Sequence, residues 1–338
     1  MSMRSRVLVC GVTLVLGVTG AAVLPASGQS GAWTVPRTAD GHADLQGVWA
    51  NNSVTPLERP EALGDRATLT QEELSALQAR AGELFSSESG DAAFGDSVFS
   101  TVLAEAATFS SRDTATGNYN QFWMVDRDWN ARTSLVTDPA NGRLPSRTAR
   151  ADAWAASRSE ARARHAHGPE DRSLGERCIS WGVPRLGAGY NSYTQVFQSA
   201  THVVLYMEMG GSRVIPLDAG PHVDARIRQM HGDSRGHFEG DTLVIETTNY
   251  SATGAFMDSS DDLHLVERLT RVAEDALEYE VTVTDPKTWH APWSAMVPLK
   301  RSTDPVFEYA CHEGNVGMEG IMAGARALEQ AEAVAGGQ

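Results

Sequence analysis

The sequence is poor in cysteine and lacks the short motifs of several large enzyme classes. Three cysteines occur among its 338 residues, and none belongs to a CxxC pair, so the chain lacks the ligand spacing of a cysteine-based zinc site. It has no GxGxxG or GxxxxGK[ST] motif opening a helix and no HExxH pair. These absences argue against nucleotide cofactors and zinc. We expect no cofactor and no metal ion.

Long apolar runs are also absent, except at the N-terminus. Arg4 and Arg6 precede an apolar stretch over residues 7–23, and small residues follow within 24–28. This order is typical of a cleavable signal peptide. A membrane anchor is the alternative, but a spanning helix needs about 20 apolar residues, and this stretch is short and rich in glycine. The sequence therefore predicts a signal peptide over residues 1–28 and a mature protein that is periplasmic or extracellular.

Positive charge is in the minority. The chain has 28 Lys and Arg against 43 Asp and Glu, which gives a formal net charge of −15. Because phosphate binding needs a basic face, this balance argues against a nucleic-acid partner. No later segment is apolar enough to cross a bilayer. We therefore expect a small-molecule ligand or substrate, no nucleic acid, and no transmembrane segment in the mature chain.

Export also bears on the cysteines. Signal cleavage would remove Cys10 and leave Cys178 and Cys311. Two cysteines in an oxidising compartment favour one disulfide bond. The alternative is a pair of buried free thiols.

The rest of the chain has the pattern of a mainly β protein. We predict a single β-rich domain over residues 29–338, without internal repeats. It would comprise a mixed helical and extended lead-in (29–172), an antiparallel β core (173–317) and a C-terminal helix and tail (318–338). Short strands joined by Gly/Asp turns favour an antiparallel barrel or curled sheet, with the helical and extended N-terminal segments packed around it.

Local patterns refine this prediction. Thr70 and Glu73 form a capping box that predicts a helix start. Short strands are expected at Phe122–Val125, Arg132–Val136 and Val306–Ala310. Tyr279, Val281 and Val283 alternate with polar residues and should share one face of a strand.

The densest polar run, Met230–Asp241, is expected between strands. His231 and Asp233 within it could form an oriented acid–base pair, since a carboxylate beside a histidine fixes its tautomer and raises its basicity. The alternative is structural, with Asp233 capping a turn.

Other candidates come from polar residues within apolar strands. Glu208 interrupts a strand, where a buried carboxylate must pair or shift its pKa, and Arg213 across the next turn is its expected partner. Strand alternation places His264 and Arg268 on one face and Glu267 on the other. Which face is buried stays open.

The remaining candidates lie near the second cysteine and among the aromatic residues. His312 follows Cys311 in a glycine-flanked turn. This turn could hold a functional group, or it could only tie the last strand to Cys178. Tyr190 with Asn191, Trp289 and Trp293 could line a sugar-binding or aromatic pocket, or fill the core.

Several stretches of the sequence together resemble a large family of secreted bacterial proteins. They include Asp44–Trp49, Thr55–Pro60, Tyr119–Trp123, Gly232–Gly236, Glu239–Val244, Thr247–Asn249 and Glu308–Asn315. The resemblance implies export, a single fold unit and pairing of Cys178 with Cys311, and it implies no reaction. Members often have a histidine shortly after the position of Glu208, where this chain has Met209-Gly210-Gly211.

Two hypotheses for function follow. The first is a secreted enzyme that performs acid–base chemistry on a small organic or glycan-derived substrate, with an arginine binding an anionic group. The second is a non-catalytic, lipocalin-like protein that holds an apolar or aromatic ligand inside the barrel. Convergence of Glu208, His231, His264 and Arg268 in one concave pocket would favour the enzyme.

Overall fold

One antiparallel sheet of ten strands forms the centre of the molecule. The computed structural model describes residues 33–110, 119–124, 126–190, 192–218, 220–252 and 256–336. The predicted signal peptide and Asn191 lie outside these ranges.

The strands alternate with tight turns through the second half of the chain. Their bounds are β1 Gly47–Ala50, β2 Val136–Asp138, β3 Tyr193–Gln198, β4 His202–Met207, β5 Gly211–Pro216, β6 Asp233–Glu239, β7 Thr242–Thr248, β8 His264–Arg271, β9 Ala276–Thr284 and β10 Trp293–Ser302. Their order is β5-β4-β3-β1-β10-β9-β8-β7-β6, with β2 beside β10. The short strand β1 therefore joins two groups of strands that would otherwise be separate.

Strand periodicity decides which side chains enter the core. In β8, the alternate residues from Leu265 to Arg271 are buried, and in β9 the same is true from Leu277 to Val283. Tyr279, Val281 and Val283 share the buried face, as the sequence predicts. Each large apolar side chain withdrawn from water in this way contributes roughly 1.5–3 kcal/mol.

The sheet curls but does not close into a barrel. Arg213 on β5 and Glu267 on β8 are separated by five strands in the sheet order, yet their side chains are in contact across the interior at 2.8 Å. The edge strands β5 and β6 approach each other at one parallel bridge between Leu217 and Gly236. The prediction of a mainly β, antiparallel curled sheet is confirmed.

Within the described residues, four α-helices accompany the sheet: α1 Gln71–Leu84, α2 Asp96–Leu103, α3 Ala149–Ala163 and α4 Val316–Gly336. The predicted capping box is present at α1, where Thr70 Oγ1 accepts from the backbone N–H of Glu73 and the Glu73 carboxylate accepts from the N–H of Thr70. Val98, Phe99 and Val102 of α2 belong to a second small core that includes Leu74 of α1. No helix in the described ranges is both long and apolar enough to span a membrane.

Several predicted local structures are wrong. Residues Gln121–Trp123 form a short 3₁₀ turn rather than a strand, and their aromatic side chains are exposed. The strand expected at Arg132–Val136 begins only at Val136, and Arg132 itself forms one isolated β-bridge, with Thr68. Residues 306–310 contain no strand. Much of the polar run at 230–241, expected between strands, is strand β6, because it pairs along its length with β7.

The predicted disulfide is present. Cys178 and Cys311 are bridged, with their Cα atoms 5.5 Å apart and a sequence separation of 133 residues. The covalent loop contains β3 to β10, whereas β1 and β2 come from the chain before it.

Candidate functional site

Ser180 and His231 form a short polar pair beside the disulfide. Ser180 Oγ lies 2.6 Å from His231 Nε2. The same oxygen accepts a hydrogen bond from the backbone N–H of Gly182 at 2.9 Å. Because that N–H can only donate, the hydroxyl proton of Ser180 is left to point toward His231 when Nε2 is unprotonated.

The local chain holds this pair in place. Ser180 is two residues beyond Cys178, so the bridge to Cys311 limits the movement of its backbone. Asn315 fixes the other side of the bridge: its side-chain amide donates to the carbonyl of Glu176, and its side-chain oxygen accepts from Met318 N–H at the start of α4. His231 lies in the turn immediately before β6.

His231 is placed to stay uncharged at neutral pH. Burial lowers the pKa of its imidazole below the ordinary value, and the positive charge of Arg213 lowers it further. A neutral imidazole can accept a proton, which is the state a general base needs.

Glu208 lies at the wall of a cavity that Ser180 also borders. Its backbone N–H donates to the carbonyl of Tyr193 at 3.1 Å, immediately after β4. Among the described residues, no group hydrogen-bonds to its buried Oε2. Burial raises the pKa of this carboxyl above its ordinary value. Glu208 is therefore disposed to hold a proton that it can donate.

Two surface cavities meet at Ser180 and Trp181. The first, of about 250 Å³, is bordered by Glu208, Tyr206, Tyr309 and the disulfide. The second, of about 270 Å³, is bordered by Arg158, Phe256 and Asp258 among others. We call the first the Glu208 cavity. Its volume is slightly below the range of about 300–1,000 Å³ that is common for organic-ligand pockets, so it has room for a small molecule rather than a polymer chain.

Three aromatic side chains line the Glu208 cavity, namely Trp181, Tyr206 and Tyr309, and Tyr190 lies beside Tyr309. Trp181 is 44% exposed on its border, and the guanidinium of Arg185 lies 5.9 Å from the centre of its ring. Tyr190 donates a hydrogen bond to the hydroxyl of Tyr119 at 3.0 Å. Burial raises the pKa of Tyr190, and the neighbouring hydroxyls of Tyr119 and Tyr309 raise it further. These side chains offer flat apolar faces with hydrogen-bonding edges.

A buried ion pair occupies the interior of the sheet. Arg213 Nη2 donates to both carboxylate oxygens of Glu267, at 2.9 and 2.8 Å, and Tyr279 donates to the same carboxylate at 2.5 Å. Burial alone would lower the pKa of Arg213, but the Glu267 charge raises it above the ordinary value. The adjoining cavity measures about 40 Å³. The expected pairing of Arg213 with Glu208 is thus not formed.

The other candidate residues of β6 and β8 lie on the outside of the sheet. Asp233 accepts from His222 Nδ1 at 2.9 Å rather than from His231. His264 Nε2 lies 2.7 Å from Glu246, and Arg268 donates to Glu239 at 2.8 Å. Of the four groups expected to converge, Glu208 shares a cavity with Ser180, which contacts His231, whereas His264 and Arg268 lie on the outer face of the sheet.

The remaining candidates are dispersed. His312 is exposed in the turn after the disulfide. Trp289 and Trp293 are fully buried and pack edge to face, with ring centres 5.6 Å apart, so they fill the core. In the part of the chain that the structure describes, no three His, Cys, Asp or Glu side chains are grouped to hold a metal ion.

Residues 232–236, Gly-Asp-Ser-Arg-Gly, have the GxSxG spacing of many serine hydrolases. In those enzymes the serine occupies a sharp turn between a strand and a helix. Here Ser234 is within strand β6, is buried, and bonds to the hydroxyl of Thr247 at 2.9 Å. Ser234 is therefore not at a strand-to-helix turn, and it borders neither of the two surface cavities that Ser180 borders.

Searches of protein-family models, curated proteins and solved structures find no match to the chain. The resemblance to a secreted bacterial family stays a prediction. Sequence reasoning missed Ser180 altogether, because its partner is 51 residues away and no motif joins them. Its position two residues after a bridged cysteine is the one local signal that marks it.

Proposed function

We propose that the protein is an exported enzyme that performs acid–base chemistry on a small organic or glycan-derived substrate in the Glu208 cavity. The observation that carries this proposal is that one cavity is bordered both by Glu208 and by Ser180, the hydrogen-bond partner of His231. An acid with a raised pKa lies at this cavity, and a base with a lowered pKa can act there through the Ser180 hydroxyl. Ionisable groups whose pKa values are shifted by burial and by a specific charge, and which lie at a cavity, are typical of functional sites.

A lipocalin-like binding function is supported less well. Pockets for organic ligands commonly measure about 300–1,000 Å³. The interior cavity beside Arg213 and Glu267 measures about 40 Å³, which is room for a few water molecules at most. The space for a ligand is at the surface, beside ionisable groups.

The proposal is tested by turnover of a panel of chromogenic esters and glycosides. We expect Glu208→Gln and His231→Gln each to reduce kcat/KM by about 10²–10⁴-fold, the usual contribution of a general acid or base. His237→Gln and Glu239→Gln are matched controls, since these residues form an exposed pair on the outer face of the sheet. Equal activity in all four variants would exclude the proposed roles.

The pH profile gives a second measurement. His231 must be neutral to accept a proton, so activity rises with pH through a pKa below the ordinary 6.5. Glu208 must be protonated to donate, so activity falls as pH passes a pKa above the ordinary 4.5. A rising limb centred above 6.5 would contradict the assignment of His231 as the base.

A further inference from the structure

We infer that Ser180 is a nucleophile and that the substrate is an ester, whose acyl group is transferred to Ser180 Oγ and then to water. This inference rests on the proposed function, because it uses the same cavity and the same base. It adds the substrate class and a covalent step.

The geometry of the hydroxyl supports this role. Activated serines lie within about 2.6–3.2 Å of their base, and Ser180 Oγ is 2.6 Å from His231 Nε2. The N–H of Gly182 donates to one lone pair of the oxygen, and the proton is directed to the imidazole. A second lone pair remains for attack on a substrate carbon.

The position of Ser180 also fits a reacting group. Ser180 is 5% exposed and borders both surface cavities, so an acyl group in one and a leaving group in the other would lie on either side of it. Trp181 lies on the border of both cavities and can stack on a flat ring. Esters with one aromatic part therefore fit this junction best.

The reaction balances with these groups alone. Ser180 Oγ adds to the ester carbonyl carbon while its proton passes to His231 Nε2. The carbon–oxygen bond to the alcohol then breaks, and the leaving oxygen takes the proton of Glu208. Water adds to the acyl-serine and returns a proton to the Glu208 carboxylate, and the acyl–Ser180 bond breaks as Oγ takes back the proton held by His231. The products are a carboxylic acid and an alcohol.

The test is covalent labelling of the full mature chain with a fluorophosphonate probe, followed by mass spectrometry of its peptides. We expect one label, on Ser180. Ser180→Ala should abolish labelling, His231→Gln should slow it by about 100-fold or more, and Ser234→Ala should leave it unchanged. Ser234 is the matched control because it is also a buried, hydrogen-bonded serine. Thermal unfolding of each variant checks that it is folded.

Labelling of a residue other than Ser180, or no labelling of the wild-type chain, overturns the inference. If Ser180→Ala does not fold, the labelled residue identified on the wild-type chain still tests the inference. With an aromatic p-nitrophenyl ester, we expect a burst of p-nitrophenol of one equivalent per chain. Turnover that depends on Glu208 and His231 but persists in Ser180→Ala would retain the acid–base function and remove the nucleophile. Loss of both turnover and labelling in the wild-type chain would remove both.

Discussion

Two kinds of charged pair in this protein differ in what surrounds them. Arg213 and Glu267 are withdrawn from water, with exposed fractions of 6% and 1% for their side chains. Arg268 and Glu239 form a bond of similar length on the outer face, where both remain largely accessible. Removing one partner of a buried pair leaves an uncompensated charge in the interior, whereas water solvates the survivor of an exposed pair.

Substitutions in these two ion pairs should therefore lower the free energy of unfolding by different amounts. We expect Arg213→Met to lower the free energy of unfolding by about 3–5 kcal/mol. The double variant Arg213→Met/Glu267→Gln should recover much of this loss, because the neutral amide can still accept from Tyr279. Arg268→Met is the matched control and should change stability by less than about 1 kcal/mol. Urea denaturation measures the free energy of unfolding of all three variants. Similar losses in Arg213→Met and Arg268→Met would contradict the distinction between the buried and the exposed ion pair.

The same residues show where sequence reasoning succeeds and fails at this scale. Alternation along β8 correctly separates Glu267 from His264 and Arg268. Proximity in sequence predicts Glu208 as the partner of Arg213. The curl of the sheet instead brings Glu267 to Arg213 from another strand. Ser180 and His231 meet for a similar reason, and no local pattern contains that information.

At the scale of elements, the approach of β5 to β6 depends on a residue without a side chain. A Cβ on Gly236 would lie 2.9 Å from Ile215 Cγ2 and 3.1 Å from Leu217 Cδ2. Ile215 is fully buried, and its branched side chain has little freedom to move. The small residue in β6 thus allows the two edges of the curled sheet to meet.

We expect Gly236→Ala to reduce the free energy of unfolding by about 1–3 kcal/mol, the usual cost of overpacking a core. Gly82→Ala is the matched control: it is exposed within α1, a Cβ there meets nothing within 4 Å, and alanine is the better helix former by about 1 kcal/mol. The two substitutions should shift the unfolding midpoint in opposite directions. A stabilising Gly236→Ala would contradict tight contact between β5 and β6.

Elements with a regular pattern were predictable, and those defined by distant pairing were not. The capping box at Thr70 and the alternation in β9 are local signals that the fold retains. The composition around β6 predicts a loop, because six of the twelve residues from 230 to 241 are Gly, Asp or Ser, and only pairing with β7 makes it a strand. Likewise, β1 and β2 enter the sheet from a region expected to lie outside it.

At the scale of the whole molecule, the disulfide and the predicted signal peptide both point to export into an oxidising compartment. A bridge of this kind persists in an oxidising compartment. Removal of residues 1–28 would leave only the two bridged cysteines in the mature chain.

We therefore expect protein recovered from the exported fraction to begin near residue 29 and to show no titratable thiol before reduction and two afterwards. N-terminal sequencing and thiol counting under denaturing conditions measure this. Three thiols after reduction would show that Cys10 is retained. Two thiols without reductant would show that the bridge does not form in the cell.

The loop closed by Cys178 and Cys311 has a consequence for survival among proteases. The turns at Gly240-Asp241 and Glu274-Asp275 are exposed within it. A single cut in either turn would divide the backbone, yet the two fragments would stay tethered through the sulfur atoms and through strand pairing on both sides. A nicked molecule would therefore keep its sheet and the Glu208 cavity, and release of the pieces would require both reduction of the bridge and unfolding of the sheet.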